Sequence, residues 1–225
     1  MGCEWPRAFC LRRYLKDPFS GLSHAVGALI SLIGIAYLIY ESHGNPLRVT
    51  SFVIYGLTLV CLYTASSLYH SLRVGQRATD ALYGLDRAAI YALIAGTYTP
   101  ICLVALPGVW GWSLFGVVWG LAATGILIDI VSRRRSPDWV QALMYLLTGW
   151  VAIVAVRPLF HALSGQTLGW LAAGCLLYSG GAIICVKDRP RMIPGVFDAH
   201  DLWHLLVMAG SACHFVVMVL LARAA

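Results

Sequence analysis

Seven apolar stretches, each about as long as a bilayer's hydrocarbon layer is thick, leave few folds open to this chain. They run over residues 20–40, 50–72, 82–106, 110–131, 139–158, 167–186 and 199–222. A helix rises 1.5 Å per residue, so roughly 20 residues cross about 30 Å of hydrocarbon. Lipid offers no partner to a backbone amide, and runs this long and continuously apolar satisfy their amides as helices. The expected fold is all-α, a seven-transmembrane helix bundle. Residues 1–19 form a short N-terminal segment and residues 20–222 the membrane domain, which leaves no room for a second, soluble domain. Only 12% of residues are charged, against about a quarter in soluble domains. Gly44-Asn45-Pro46, Arg135-Ser136-Pro137 and residues 189–195 break the pattern between spans. Pro100 and Pro158 fall near span ends, where a lost backbone bond costs little.

The basic residues orient the bundle. With seven alternating spans, thirteen of the sixteen Lys and Arg fall on one side, among them Lys16, Arg73, Arg87, Arg133–Arg135 and Lys187. The other side keeps Arg48, Arg157 and Arg223. The positive-inside bias puts the N-terminus in the cytoplasm and the C-terminus outside, which suits a multi-pass protein of the bacterial inner (plasma) membrane. Trp110, Trp112, Trp139 and Trp170 sit at span ends as an aromatic belt would. The stretch Trp5–Leu15 mixes aromatic and basic residues and could lie flat on the inner leaflet. No apolar h-region precedes the first span, so a cleaved signal peptide is not expected. Gly116 and Gly120, and residues 209–212, are small enough for close helix approach, more often in packing within the chain than at a dimer seam. The seven cysteines include no CxxC pair and read as small apolar thiols.

Ionisable groups inside spans are expensive, about 2.5–3.5 kcal/mol each at the centre of a span. His24 begins span 1, His70 ends span 2, Asp86 begins span 3, and His200 and His204 begin span 7. All five share one membrane depth near the cytoplasmic face, which argues for one site. Four residues on a helix are about 6 Å of rise and ~40° of rotation, so His200 and His204 project from one face and can reach one ion. An HxxxH pair alone is a weak signal; the shared depth of His70 and Asp86 strengthens it. His70, His200 and His204 are the expected metal ligands, with Zn2+ as the ion, since zinc accepts three nitrogen ligands and leaves a fourth position open. Asp86 could act there as general base, and Ser66, one turn before His70, as a donor to a water or an oxyanion. His24 is either a partner behind the ligands or a packing residue. His214 lies about 15 Å further along span 7, too far to share the ion, and reads as a buried hydrogen-bonding histidine. His43 and His161 fall on the outer side and are expected to be solvated, and Asp129 is expected to pair with Arg133–Arg135.

Three blocks of residues resemble a known family. They are Ser23-His24-Ala-Val-Gly27; Ser66-Ser-Leu-Tyr-His70 with Leu85-Asp86 running on to Thr99-Pro100; and His200-Asp-Leu-Trp-His204 with the later Cys213-His214-Phe215. On seven spans, this order of Ser-x3-His, Asp and His-x3-His resembles the hemolysin III proteins of bacteria, relatives of the progestin and adipoQ receptors, over about residues 17–222. The resemblance implies zinc on His70, His200 and His204, with Asp86 and Ser66 beside it. It also implies kinship with the alkaline ceramidases, proposed to be hydrolases of lipid amides. The family pattern often has Glu and Asn before the first His, where this chain has Asp17 and Ser20. It often has His after the Asp, where this chain has Arg87. Asp17 is thus a shorter carboxylate near the site, and none of these departures touches an expected ligand.

Three functions compete at this level. One is a zinc-dependent intramembrane hydrolase of a lipid amide or ester. Another is a receptor-like membrane regulator in which zinc is structural. The third is a pore-forming cytolysin, against which a Gly- and Ala-rich bundle with no long amphipathic insertion segment argues. A membrane lipid is the expected partner and nucleic acid is not; the oligomeric state is open.

Overall fold

The computed structural model describes residues 14–224 apart from 107, 133–135, 191 and 194–196. Seven helices among them are long and apolar enough to cross a membrane. They comprise α1 (Pro18–Glu41), α2 (Pro46–Ser71), α3 (Gln76–Pro100), α4 (Val109–Val131), a fifth span in three pieces, α7 (Gly165–Lys187) and α8 (Ala199–Arg223). The fifth span joins α5 (Asp138–Gly149), a 3-10 stretch over Trp150–Ala155 and α6 (Val156–Ala162). Among the described residues no strand forms beyond an isolated bridge between Ile193 and Phe197. Each expected span is found, its ends shifted by up to six residues, mostly outward.

Chain-adjacent spans pack side by side, and α8 closes the ring against α1. Burial is uneven. Half or more of the apolar windows of α2, α3 and α8 is enclosed, against less than a third in the other four spans. Tyr55, Phe52, Tyr91, Val217 and Met218 on these inner helices form the core. Close approach of α2 to α3 depends on Gly96, where a Cβ would overlap the Thr58 side chain. Gly116 and Gly120 behave otherwise than expected: they are exposed, and a Cβ on either would meet nothing. The buried face of α4 is Leu114, Val118, Ala122, Gly125 and Asp129, and the two glycines fall on the opposite side. The Ala209–Ala212 stretch does pack, with Gly210 against the Tyr178 ring.

Two spans are interrupted. The third continues beyond Pro100 through a π-helical turn, Ile101–Ala105, so the proline lies inside the span rather than at its end. The fifth runs past Pro158 to Ala162. Its 3-10 break is met by Tyr98, whose hydroxyl donates to Gly149 O at 2.6 Å and accepts from Ala152 N at 2.8 Å. Irregular backbone at membrane depth is tolerated where protein satisfies it or a cavity borders it, and both conditions hold here. Trp110, Trp112, Trp139 and Trp170 are exposed, as a belt requires. The stretch expected to lie on the leaflet falls mostly outside the described residues.

A histidine cluster at one end of the bundle

The sequence HDLWH opens α8, and its first turn is tightly held. Asp198 caps the helix, accepting from His200 N at 2.9 Å and Asp201 N at 3.1 Å. Asp201 Oδ2 returns the bond from Asp198 N, completing a capping box. Ser20 Oγ of α1 donates to Asp201 Oδ1 at 2.7 Å, inside the protein. The turn carrying His200 is therefore fixed both to itself and to the first span.

Three imidazoles converge at this end. His200 Nε2 lies 3.0 Å from His204 Nε2 and 3.4 Å from His70 Nε2. Neutral imidazole offers one proton and one lone pair, so three Nε2 atoms meeting at a point cannot all satisfy one another. One ligand atom from each lies within 4.8 Å of the other two, and the group could hold a metal ion. His70 and His204 are buried and His200 is open to a cavity. Their helices, α2 and α8, belong to the enclosed set.

Behind the three imidazoles stand partners. His70 Nδ1 donates to Asp17 Oδ2 at 3.0 Å, and Asp17 N donates to His70 O at 2.7 Å. The His70 hydrogen bond holds the Asp17 carboxyl below its ordinary pKa against the opposing effect of burial, so it stays charged at neutral pH. The shorter side chain of Asp17 thus still reaches the site. His204 Nδ1 lies 3.0 and 3.2 Å from the two ring nitrogens of His24. Near-equal distances mean that it meets the edge between them rather than a single lone pair. His24 also packs edge-on against Tyr63, so it is both a neighbour of the cluster and a packing residue. His200 Nδ1 faces Cys185 Sγ of α7 at 3.7 Å; the composition-level reading of the cysteines overlooked that contact.

Asp86 and Ser66 line the same space. A cavity of about 980 Å³ opens at this end, bordered by Asp17, His70, Asp86 and His200. A narrower channel of about 140 Å³ shares Asp86, Ile90, Tyr145, His200 and Trp203 with it and continues inward past Ser66, His204, Leu93 and Leu159. The polar groups along the channel are largely spoken for. Thr97 Oγ1 donates to Leu93 O, Tyr178 pairs with Ser211, and Ser179 bonds Cys175 O and Trp150. The channel's accessible lining is accordingly mostly hydrocarbon.

His214 is buried away from the cluster, with Nε2 on Leu171 O at 3.3 Å, and His43 and His161 are exposed, all as expected. Asp129 has partners that the sequence did not suggest. It pairs with Arg87 Nη2 at 2.7 Å and accepts from Gln141 at 2.8 Å; Arg133–Arg135 lie outside the described residues. Asp129 sits on the buried face of α4, and the guanidinium at its depth belongs to α3. Arg87 is therefore a neutralised interior charge rather than a loop charge that reports orientation.

The sequence profile of the family described as Haemolysin-III related matches residues 12–215. The chain belongs to the hemolysin III family. Among hemolysin III relatives, "Hemolysin-3" of Bacillus cereus is 37% identical over 209 residues, covering 91% of each chain. "Hemolysin-3 homolog" of Bacillus subtilis is 37% identical over 198 residues, covering 87% of this chain and 89% of its own. More distant is an "Adiponectin receptor protein" of Drosophila melanogaster, 24% identical over 224 residues, which cover 86% of this chain and 48% of the receptor. This hemolysin III chain is a multi-pass integral membrane protein.

Proposed function

We propose that the chain is a zinc-dependent hydrolase of a lipid amide or ester, in the inner (plasma) membrane of a bacterium, with the histidine end in the cytoplasm. The observation that carries the reading is the spacing of the three Nε2 atoms at the mouth of an apolar channel. Ligands at 2.0–2.1 Å in a tetrahedral shell stand about 3.3–3.4 Å apart, close to the 3.4 and 3.0 Å found. Asp17 behind His70 is the carboxylate partner that zinc-ligating histidines ordinarily have. Zinc bound there supplies a Lewis acid that polarises a carbonyl and lowers the pKa of a water.

The remaining work falls to the chain. The wide cavity takes the head group and the narrow channel one hydrocarbon chain, which puts the carbonyl beside Asp86 and His200 where the two spaces meet. Asp86 accepts the proton of the attacking water and passes it to the leaving nitrogen or oxygen as the C–N or C–O bond breaks. The Ser66 hydroxyl donates to the carbonyl oxygen as it gains charge. The products are a fatty acid and an amine or alcohol.

Purified protein in nanodiscs is expected to release fatty acid from N-acyl or O-acyl lipids. Asp86→Asn is expected to lose at least ~100-fold, the low end of a general base's contribution, while keeping its metal. Wild-type protein that carries zinc yet turns over no lipid of a broad panel would favour a receptor-like regulator instead, with zinc stapling α2 to α8. The distant likeness to an adiponectin receptor protein gives that second reading its footing. Single cysteines placed at residues 75 and 164 test the orientation. In sealed cells a membrane-impermeant maleimide should label position 164 and spare position 75; the reverse pattern would overturn the assignment.

A further inference from the structure

We propose that the Cys185 thiol positions His200 for metal binding, as the third of three side chains standing behind the ligand imidazoles; this rests on the metal reading above. An imidazole that gives Nε2 to a metal carries its proton on Nδ1, and a partner there fixes both tautomer and ring orientation. His70 has Asp17 in that place, and the edge of the His24 ring packs against His204 Nδ1. For His200 the partner is Cys185 Sγ, 3.7 Å from Nδ1.

His200 is the ligand most in need of one. Packing confines His70 and His204, each 3% exposed, whereas His200 is exposed and borders the wide cavity, with the His70 and His204 rings on its inner side. The nearby carboxylates are already engaged: Asp198 with the backbone of α8, Asp201 with Ser20 and the capping box. Cys185 comes from α7, which contributes no ligand, so this contact ties the sixth span to the site. With a metal on Nε2 the Nδ1–H donates and the sulfur accepts. Without an acceptor the ring is free to turn its N–H toward the cavity and withdraw Nε2.

The test is the zinc affinity of the full chain in nanodiscs, measured by competition with a chromophoric chelator. Cys185→Ala and the near-isosteric Cys185→Val both lack an acceptor and are expected to bind zinc about ten-fold more weakly, the low end for loss of such a partner. Cys185→Ser restores an acceptor and is expected to bind nearly as wild type. Cys175→Ala is the control, because that thiol lies near His214 and not near a ligand. The visible bands of the cobalt(II)-substituted protein should shift in the alanine and valine variants and return in the serine variant, with metal-free melting temperatures unchanged. Equal zinc affinity and equal cobalt spectra in wild type, Ala and Val would overturn the positioning role while leaving the metal site intact. Wild type that binds no zinc overturns the metal reading itself, and this inference with it.

Discussion

Alanine in place of His204 is expected to abolish metal retention, taking zinc from about one equivalent per chain to none measurable after dialysis, by elemental mass spectrometry. His204 is a buried member of the cluster, 3% exposed, and its Nε2 is 3.0 Å from that of His200. Two histidines on different helices would remain, too few for a closed shell. A graded series sharpens the test. Asp17→Ala keeps all three ligands but frees the His70 ring, and should weaken zinc by about 10–100-fold, the usual effect of losing such a partner. His214→Ala should leave zinc unchanged, since that ring bonds Leu171 O about 15 Å away along α8. Metal retained in full by His204→Ala would mean that the convergence of the three rings is a packing arrangement.

The spans and the cluster were legible because both follow from strong, one-dimensional physics. A run such as residues 110–131 must cross the membrane whatever surrounds it, and helix boundaries then assign a depth to every residue. Depth alone united His70, Asp86, His200 and His204, although up to 134 positions separate them. Depth carries no azimuth, and each failure traces to that. Asp129 stands four to six positions from Arg133–Arg135 in sequence, but the partner seen for its side chain is Arg87 of another helix. Gly116 and Gly120 have the spacing of a packing motif on the wrong face of α4. Cys185 shares the depth of the histidines, two residues before Lys187, and the same reasoning could have found it had it not been confined to ionisable groups. Ser20 and Asp201 were illegible for a different reason. Their bond spans 181 positions and depends on α8 closing the ring against α1.

Breaking the Arg87–Asp129 pair is expected to cost more stability than any other change outside the metal site. Both side chains are buried, at 6% and 3% exposure. Arg87 Nη2 stands 2.7 Å from Asp129 Oδ1 as an ion pair, lacking only the angle of a hydrogen bond. Gln141 of α5 donates to the same carboxylate, Tyr91 of α3 donates to Gln141, and Tyr83 accepts from Arg87 Nη1. The Tyr145 hydroxyl donates to Arg87 O, so the cluster joins α3, α4 and α5, and Arg87, Gln141 and Tyr145 border the same cavity as His70 and His200. Arg87→Met leaves a buried carboxylate with only Gln141, and losing one partner of a buried pair costs about 3–5 kcal/mol. The melting temperature in detergent should fall accordingly, by roughly 2–4 °C per kcal/mol for a chain of this size. The double variant Arg87→Met/Asp129→Leu removes both charges and should recover most of that loss, because an apolar pair of similar volume avoids desolvating either ion. A double variant no more stable than Arg87→Met would mean that the hydrogen bond from Gln141 to Asp129, rather than the charges, ties α5 to α4. Zinc content should be the same in all three proteins, since neither residue touches a ligand imidazole.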